Sequence, residues 1–440
     1  MRSYKFLLII FISLTGKLVT AQQNNVYNLQ QCIDIAIKNN LTVKQDSIAA
    51  EQARIAFLQS KDNLIPSISG NANRQLSSGR AINPVTNAYI TQSVTSDNYT
   101  LSGNMTIFNG LALQTAVKQT SLAYQAGKMT FQAAKDLVTV NIITNYLQVL
   151  DAAESLNQTK SQLAVARENL DIAETKEKYG ANLTASTYSD FKGAYAGNQV
   201  AVVQAQNNLD AAKLSLFNLM NIPYNKDVQL QPLNAEELKG QYGVDPNQVY
   251  ETALQQLAQV KAATLMRESA EKGVKYYKGL LLPQLQLGGG IGTNYSNLNT
   301  QSYSQQFSNN YGTYLQLGLN IPIFTNQLKR HAVALAKLNL LNYRDIEDNT
   351  KIQLKQAVEQ AYYNMVAAYN KYQALDAEVK AYTESYRVVK IRLDAGVITS
   401  DLFLLAKNNM DSANLNFISA RYDYYIYSKI LDYYQGKLAQ

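Results

Sequence analysis

Few side chains in this 440-residue sequence could carry out chemistry. His331 is the single histidine, which excludes any multi-histidine metal site, and beside Lys329 and Arg330 it is predicted to be a solvated surface residue rather than a proton-transfer group. The methionines are scattered, so they form no copper- or silver-binding stripe. Gly288–Gly290 lacks a following Lys-Ser/Thr, which argues against a phosphate-binding loop. With no nucleophile–base pair in view, we predict no enzyme, no cofactor and no metal site.

Cys32 is the only cysteine, so no internal disulfide can form. The three residues before it, Leu29, Gln30 and Gln31, are not the small residues expected before a lipidated cysteine. A free cysteine packs like a small hydrophobe, and we therefore predict a buried helix residue. Acylation of Cys32 at a mature N-terminus is the alternative.

Carboxylates gather near two glycine turns of the sequence. The candidates are Asp171 and Glu174 before the first turn and Asp394 before the second. One interpretation is a solvated face of ion pairs, because Arg167 to Asp171 and Glu174 to Lys178 have helical spacing. The competing hypothesis is that these carboxylates, repeated around an assembly, ring a constriction and favour cations or hold a gate shut.

Long helices must position these carboxylates. Residues 111–179 contain no proline and one glycine, and residues 327–395 contain neither, which predicts two very long helices. From Ile142 the apolar and small residues recur at alternating steps of three and four, which is a coiled-coil seam. Return helices are predicted over 185–220 and 401–434, so each long helix belongs to a helical hairpin.

The two hairpin turns are candidate docking points. Gly180 and Gly396 are predicted to be left-handed caps of the long helices. A bare tip is also the part of a hairpin that faces an end-on partner. The candidate docking residues are Gly180, Asn182, Thr184, Gly396, Thr399 and Asp401.

Alternation with a period of two predicts four strands, near 66–76, 98–108, 283–295 and 311–324, with polar loops over 77–96 and 296–310. Pro66 and Pro283 lie 217 residues apart, and Phe108 and Phe324 lie 216 apart, as do the two turn glycines. We therefore predict one structural repeat over 22–222, a proline- and glycine-rich linker over 223–247 and a second repeat over 248–440.

Residues 1–21 are typical of a secretory signal peptide, with a basic start, a short apolar run and cleavage predicted between Ala21 and Gln22. Three of the positive charges behind the net charge of +7 lie in this segment, which has no acidic residue, and the remaining positive charge is too weak to argue for nucleic-acid binding.

Each predicted strand is about ten residues long, which is the length that a tilted strand needs to cross a bilayer. Two hairpins packed on helices in a soluble α+β protein are the alternative. Four strands cannot close in lipid, so spanning strands would require several chains to share one barrel.

The order of these elements resembles the TolC-like outer-membrane efflux proteins over residues 25–437. The resemblance is carried by the opening Leu29–Asn40, the Ile-Pro and Leu-Pro that precede the first and second strand pairs, the Pro-Ile-Phe that ends at Phe324 and the turn Arg392–Leu402. It implies a mainly α fold with membrane β: coiled-coil hairpins form a periplasmic tunnel, and four transmembrane strands per chain complete a twelve-stranded barrel in a homotrimer. One departure is Ala185 in the first turn, where the second has Asp401.

The resemblance also implies a function and partners. It predicts a passive exit conduit in the bacterial outer membrane, with the helical tunnel in the periplasm. The implied partners are outer-membrane lipid, a periplasmic adaptor, and an inner-membrane efflux pump or ABC exporter that supplies the energy, as in type I secretion. The alternatives are an exported coiled-coil adhesin, which would account for the helices, and a stand-alone porin, which would account for the strands.

Overall fold

The protein is described by a computed structural model over residues 26–82, 86–179, 185–232 and 243–437. The predicted signal peptide, its cleavage residues Ala21 and Gln22, and part of the predicted linker lie outside the described residues. Three tip residues, Gly180, Asn182 and Thr184, lie outside them as well.

Helices and strands follow one another in an order that is similar in the two halves. The helices are α1 (Leu29–Asn39), α2 (Leu41–Asp62), α3 (Ala112–Lys178), α4 (Ala185–Met220), α5 (Pro246–Gln256), α6 (Ala258–Gly279), α7 (Tyr303–Asn309), α8 (Leu328–Asp394) and α9 (Ser400–Tyr434). The strands are β1 (Val26–Tyr27), β2 (Ser67–Ile82), β3 (Tyr89–Phe108), β4 (Gln229–Leu230), β5 (Gln284–Ser296) and β6 (Gly312–Asn320).

The long helices α3 and α8 each contain 67 residues, which corresponds to about 100 Å of helix. Their sequences lack proline, so no N–H group of the ladder is lost within them. Asn109 lies before α3 and caps its first turn, because its side-chain oxygen accepts a hydrogen bond from the N–H group of Leu113 at 3.2 Å. No helix in the described ranges is both long and apolar enough to cross a membrane.

Four strands form one antiparallel sheet in the order β2-β3-β5-β6. Within this sheet β2 and β6 are edges that pair on one side only. On β6 the alternate residues Leu315, Leu317 and Leu319 are 62–81% exposed, so the sheet presents apolar side chains on a surface. A separate two-stranded sheet pairs β1 with β4 in parallel.

Two sequence predictions about the strand connections are wrong. The polar segment 77–96 is mostly strand, because β2 and β3 stay paired from Leu76↔Thr95 to Ile82↔Tyr89. Pairing between β3 and β5 stops at Ser96, so this end of the hairpin is two-stranded. The segment 296–310 is not all loop either, since it contains α7, which begins with a capping box between Ser302 and Gln305.

The described residues belong to two compact units. The first unit comprises Met1–Ala36, Asn141–Gly240 and Leu375–Tyr422. Its core includes Tyr146, whose hydroxyl donates to the carbonyl oxygen of Gln231 at 2.7 Å. Cys32 is also fully buried in this unit, as predicted.

The second unit comprises Ile37–Val140, Gln241–Ala374 and Asp423–Gln440, and it contains the four-stranded sheet. A helical cluster of Val249, Leu354, Val358, Met365 and Leu431 forms part of its core. In the same unit the Glu347 carboxylate accepts from Arg267 at 2.6 Å and from Lys351 at 2.8 Å. Burial alone would raise the pKa of Glu347, but these hydrogen bonds outweigh it and hold that pKa below its usual value.

Candidate functional site

The turn between α8 and α9 is a tight helix cap. Gly396 has a φ of +72°, the left-handed conformation predicted for it. Its N–H group donates to the carbonyl of Leu393 at 2.9 Å, and the N–H group of Val397 donates to the carbonyl of Arg392 at 2.9 Å. This hydrogen-bond pair is the Schellman motif, which satisfies the last carbonyls of a helix.

The start of α9 carries a negative charge at this turn. The side chain of Thr399 and the backbone N–H groups of Asp401 and Leu402 form hydrogen bonds with the Asp401 carboxylate, which lowers its pKa. Asp401 is exposed, so its charge faces the surroundings of the tip. A carboxylate in the first helical turn is also favoured by the helix dipole.

Below this turn the two hairpins pack against each other. The hydroxyl of Ser400, which is buried, donates to the Asp190 carboxylate on α4 at 3.0 Å. Phe403 is fully buried, and its ring centroid lies 6.1 Å from that of Phe191 on α4 and 5.6 Å from that of Tyr386 on α8. We call the group formed by Leu170, Ala173, Phe191, Phe403 and the surrounding apolar residues the tip cluster. It joins the two hairpins through a shared core.

The predicted carboxylates lie on the surface of these helices. Asp171 forms the predicted ion pair with Arg167 at 2.8 Å, and both side chains are about half exposed. The guanidinium of Arg167 lies 5.4 Å from the ring centroid of Tyr195, so this pair connects α3 with α4. Glu174 and Asp394 are exposed, and within the described residues Glu174 does not form the predicted ion pair with Lys178. A ring of carboxylates around a constriction stays a prediction.

Sequence reasoning missed a buried ion pair on α9, between Lys407 and Asp411. The side chain of Lys407 is 3% exposed and that of Asp411 is 12% exposed. The backbone carbonyl of Asp411 accepts a hydrogen bond at 3.3 Å from the buried amide of Gln162 on α3. The only sequence signal is a Lys and an Asp four residues apart, each next to a position of the apolar seam that contains Phe403.

Charges from three helices meet around this ion pair. Burial raises the pKa of Asp411, and the hydrogen bond from Lys407 offsets this only in part. Burial also raises the pKa of Tyr386, and the nearby carboxylates of Asp411, Glu168 and Asp394 add to that rise. The first unit therefore contains charged and polar groups between helices that otherwise pack through apolar side chains.

The site is built from apolar packing, hydrogen bonds and exposed charges. Across the described residues, no group of three or more His, Cys, Asp or Glu side chains is placed to hold a metal ion. The histidine, His331, is exposed, as predicted.

Helical hairpins joined to a four-stranded sheet define the fold of an outer-membrane channel. The solved structure of the Campylobacter jejuni CmeC outer membrane channel has this fold, with a TM-score of 0.77 at 20% identity over 93% of this chain and 86% of that chain. A sequence model described as "Outer membrane efflux protein" matches residues 32–221 and 249–436. The chain belongs to the outer membrane efflux protein family.

Two curated relatives give the extent of the likeness. Outer membrane protein TolC of Escherichia coli K12 is 24% identical over 307 residues, which cover 68% of this chain and 61% of TolC, less than two thirds of its length. Outer membrane efflux protein BepC of Brucella suis is 22% identical over 441 residues, covering 98% of this chain and 90% of BepC.

Family membership confirms several predictions. These are the resemblance itself, the mainly α fold class with membrane strands, the outer-membrane localisation with periplasmic helices, and a channel in place of an enzyme. Membership of this family favours an efflux channel over the two alternatives, an adhesin and a stand-alone porin.

Proposed function

We propose that three copies of this chain form a passive exit duct through the outer membrane. The observation that carries the proposal is the sheet of four strands with two open edges, β2 and β6. Unpaired N–H and C=O groups on such edges cost several kcal/mol each in hydrocarbon, about 2–7 for a buried amide. Pairing β6 of one copy with β2 of the next satisfies both edges, and three copies supply a twelve-stranded barrel.

The duct has no energy source of its own in this proposal. An inner-membrane efflux pump or ABC exporter supplies the energy, and a periplasmic adaptor joins it to the hairpin tips. The relatives support an export role, since a third is named "Toxin and drug export protein A", from Aggregatibacter actinomycetemcomitans, and is 21% identical over 432 residues. The substrate is a small molecule or a protein, and no nucleic acid is involved.

Assembly and conductance test the duct directly. The protein, extracted from outer membranes in detergent, should have the mass of three chains by light scattering and should conduct ions in planar bilayers without added nucleotide. Extraction without detergent would contradict membrane insertion. A conducting monomer would contradict the shared barrel.

Docking is proposed at the hairpin tips, with Gly180, Asn182, Thr184, Gly396, Thr399 and Asp401 as the contact residues. Cross-linking in cells tests this with a photoreactive amino acid in place of Thr399, which should capture a periplasmic adaptor. The matched control is Glu378, an exposed residue about 24 Å along α8 from its end at Asp394. Equal capture from both positions, or capture from Glu378 only, would refute docking at this tip.

Gating is proposed to involve the exposed carboxylates Asp171, Glu174 and Asp394. A carboxylate ring favours cations and can hold a pore closed through its contacts. Replacing Asp171 and Asp394 by Ala should lower the cation selectivity measured from reversal potentials in planar bilayers. Unchanged conductance and unchanged selectivity would leave the ion-pair interpretation standing alone.

A further inference from the structure

A cavity of about 310 Å³ lies in the second unit where β6 runs into α8. Leu281, Ile323 and Phe324 supply apolar walls, and Lys329 and Arg330 supply positive charge. We propose that this junction binds an anionic phospholipid of the periplasmic leaflet, with the headgroup phosphate on Lys329 and Arg330 and the first acyl methylenes on Ile323 and Phe324. The inference rests on the proposed function, because it requires the sheet to lie in the membrane.

The place of the cavity in the sheet fits a bilayer interface. Helices α2, α3, α6 and α8 all join their strands at the same end of the sheet, and the other end carries the β2–β3 connection and α7. Since the helices are periplasmic, the end of the sheet that the helices join is the periplasmic boundary of the membrane segment. Residues at such a boundary meet acyl chains on one side and lipid headgroups on the other.

The side chains at the cavity have the two properties that a phospholipid requires. Ile323 is 94% exposed and Phe324 is 74% exposed, so apolar surface faces outward from a segment that is neither strand nor helix. The ammonium of Lys329 donates to the carbonyl of Leu280 at 2.7 Å, which holds this charge at the cavity wall. Within the described residues neither Lys329 nor Arg330 forms an ion pair, so both charges remain available to an anion. A basic residue near an anionic membrane surface contributes about 1 kcal/mol of attraction.

The first copy of the repeat provides a comparison. Gly110 and Leu111 have φ values of 69° and 62°, and the residues 216 positions later, Asn326 and Gln327, have 49° and 60°. The strand-to-helix turn is therefore the same in both copies. In the first copy there is no room for a side chain at Gly110, since a Cβ there would lie 2.3 Å from the carbonyl oxygen of Gly279.

The side chains after the turn differ between the copies. Leu113 and Gln114 stand at the positions that Lys329 and Arg330 occupy in the second copy. The backbone geometry alone thus does not call for two basic residues at this place. Their presence beside an open cavity and exposed apolar side chains matches an amphipathic, negatively charged ligand.

Tryptophan fluorescence tests the proposal, because the chain contains no Trp. Assembled protein with Phe324→Trp is reconstituted in phosphatidylcholine vesicles that contain brominated phosphatidylglycerol or brominated phosphatidylcholine as the quencher. Two basic residues at about fivefold each predict roughly a 25-fold preference for the anionic quencher. Lys329→Gln with Arg330→Gln should abolish that preference. Lys337→Gln with Arg344→Gln, which removes the same charge from exposed positions further along α8, should leave it unchanged.

A second reporter separates failure of this site from failure of the duct. Leu317→Trp, on the apolar face of β6, should be quenched by both lipids to a similar extent. Equal quenching of Phe324→Trp by both lipids would overturn headgroup recognition, and so would loss of the preference on adding inorganic phosphate alone. Quenching of Leu317→Trp without quenching of Phe324→Trp would mean that a neighbouring copy covers the junction. Absence of quenching at both positions would refute the placement of the sheet in lipid and with it the duct.

Discussion

The buried ion pair between Lys407 and Asp411 allows a test of how buried charges affect the stability of the packed helices in the first unit. Both side chains are removed from water, with 3% and 12% of their surfaces exposed. Lys407→Met keeps the length of the side chain but leaves the Asp411 carboxylate without its partner. Breaking a buried pair in this way costs about 3–5 kcal/mol, whereas replacing both partners by apolar groups is close to neutral. We therefore expect Lys407→Met to be strongly destabilised and Lys407→Met with Asp411→Leu to unfold near the wild type.

The lone carboxylate also predicts a dependence on pH. Burial raises the pKa of Asp411 already when Lys407 is present, and without Lys407 the folded-state pKa of this carboxyl rises further above its unfolded value. A raised folded-state pKa contributes stability that is present at low pH and is lost as the pH rises through that pKa. The destabilisation by Lys407→Met should therefore shrink between about pH 7 and about pH 5.

Urea titration of the detergent-solubilised protein, followed by far-UV circular dichroism, measures these effects as shifts in the unfolding midpoint. Asp411→Leu alone is the matched control, since it leaves a buried ammonium whose cost does not shrink at lower pH. A double variant as unstable as the sum of the two single variants would refute the reasoning. A Lys407→Met penalty that is the same at both pH values would also refute it.

Three further predictions concern the first unit. Gly396→Ala should lower the free energy of unfolding by about 1–2 kcal/mol through its left-handed φ alone, because no atom lies within 4 Å of the added Cβ. Gly396→Asn should lower it less in the same urea titration, and equal losses for the two variants would contradict this explanation. Phe403→Ala should cost about 3–5 kcal/mol, since it empties the centre of the tip cluster, and a cost under about 1 kcal/mol would show that this cluster does not hold the hairpins together. Burial raises the pKa of the Cys32 thiol to about 12, so a maleimide at about pH 8 should label Cys32 only after denaturation; rapid labelling of the native protein would show that α1 opens.

The long helices could be predicted from the sequence because their signal is long and redundant. The prediction placed them over 111–179 and 327–395, and the structure has them over Ala112–Lys178 and Leu328–Asp394. Many apolar residues at steps of three and four indicate the same helical period, so the prediction of a helix does not depend on any single residue. The cap at Gly396 was predictable for a different reason, since glycine adopts a left-handed φ at little cost.

The connections between strands could not be predicted in the same way. Residues 77–82 and 89–96 are rich in Ser, Thr and Gln and show no strict apolar alternation, and backbone pairing between the two strands makes them β structure. Helix α7 is seven residues long, too short for periodicity to be visible, although the capping box of Ser302 and Gln305 marks its start. The buried pair of Lys407 and Asp411 was missed because spacing alone does not distinguish an exposed i,i+4 pair from one covered by other helices.

The two repeats of the chain share the same backbone conformation at their strand-to-helix turns but carry different side chains there. At both strand-to-helix turns two consecutive residues adopt left-handed φ values, a conformation that costs roughly 1 kcal/mol for a non-glycine residue. The first turn needs Gly110 because Gly279 approaches it closely, whereas the second has Asn326 at the equivalent position. Other side chains also differ between the two repeats, since Lys329 and Arg330 stand where the first repeat has Leu113 and Gln114, and Asp401 stands where the first repeat has Ala185. Each chain has two such strand-to-helix turns, so a trimer would have six. Three of them would carry the side chains of the first repeat and three those of the second repeat. We therefore expect the side chains to cause any difference between the two repeats in lipid contact and in docking. Exchanging Lys329 and Arg330 for Leu and Gln should make the second strand-to-helix junction behave like the first in its lipid preference.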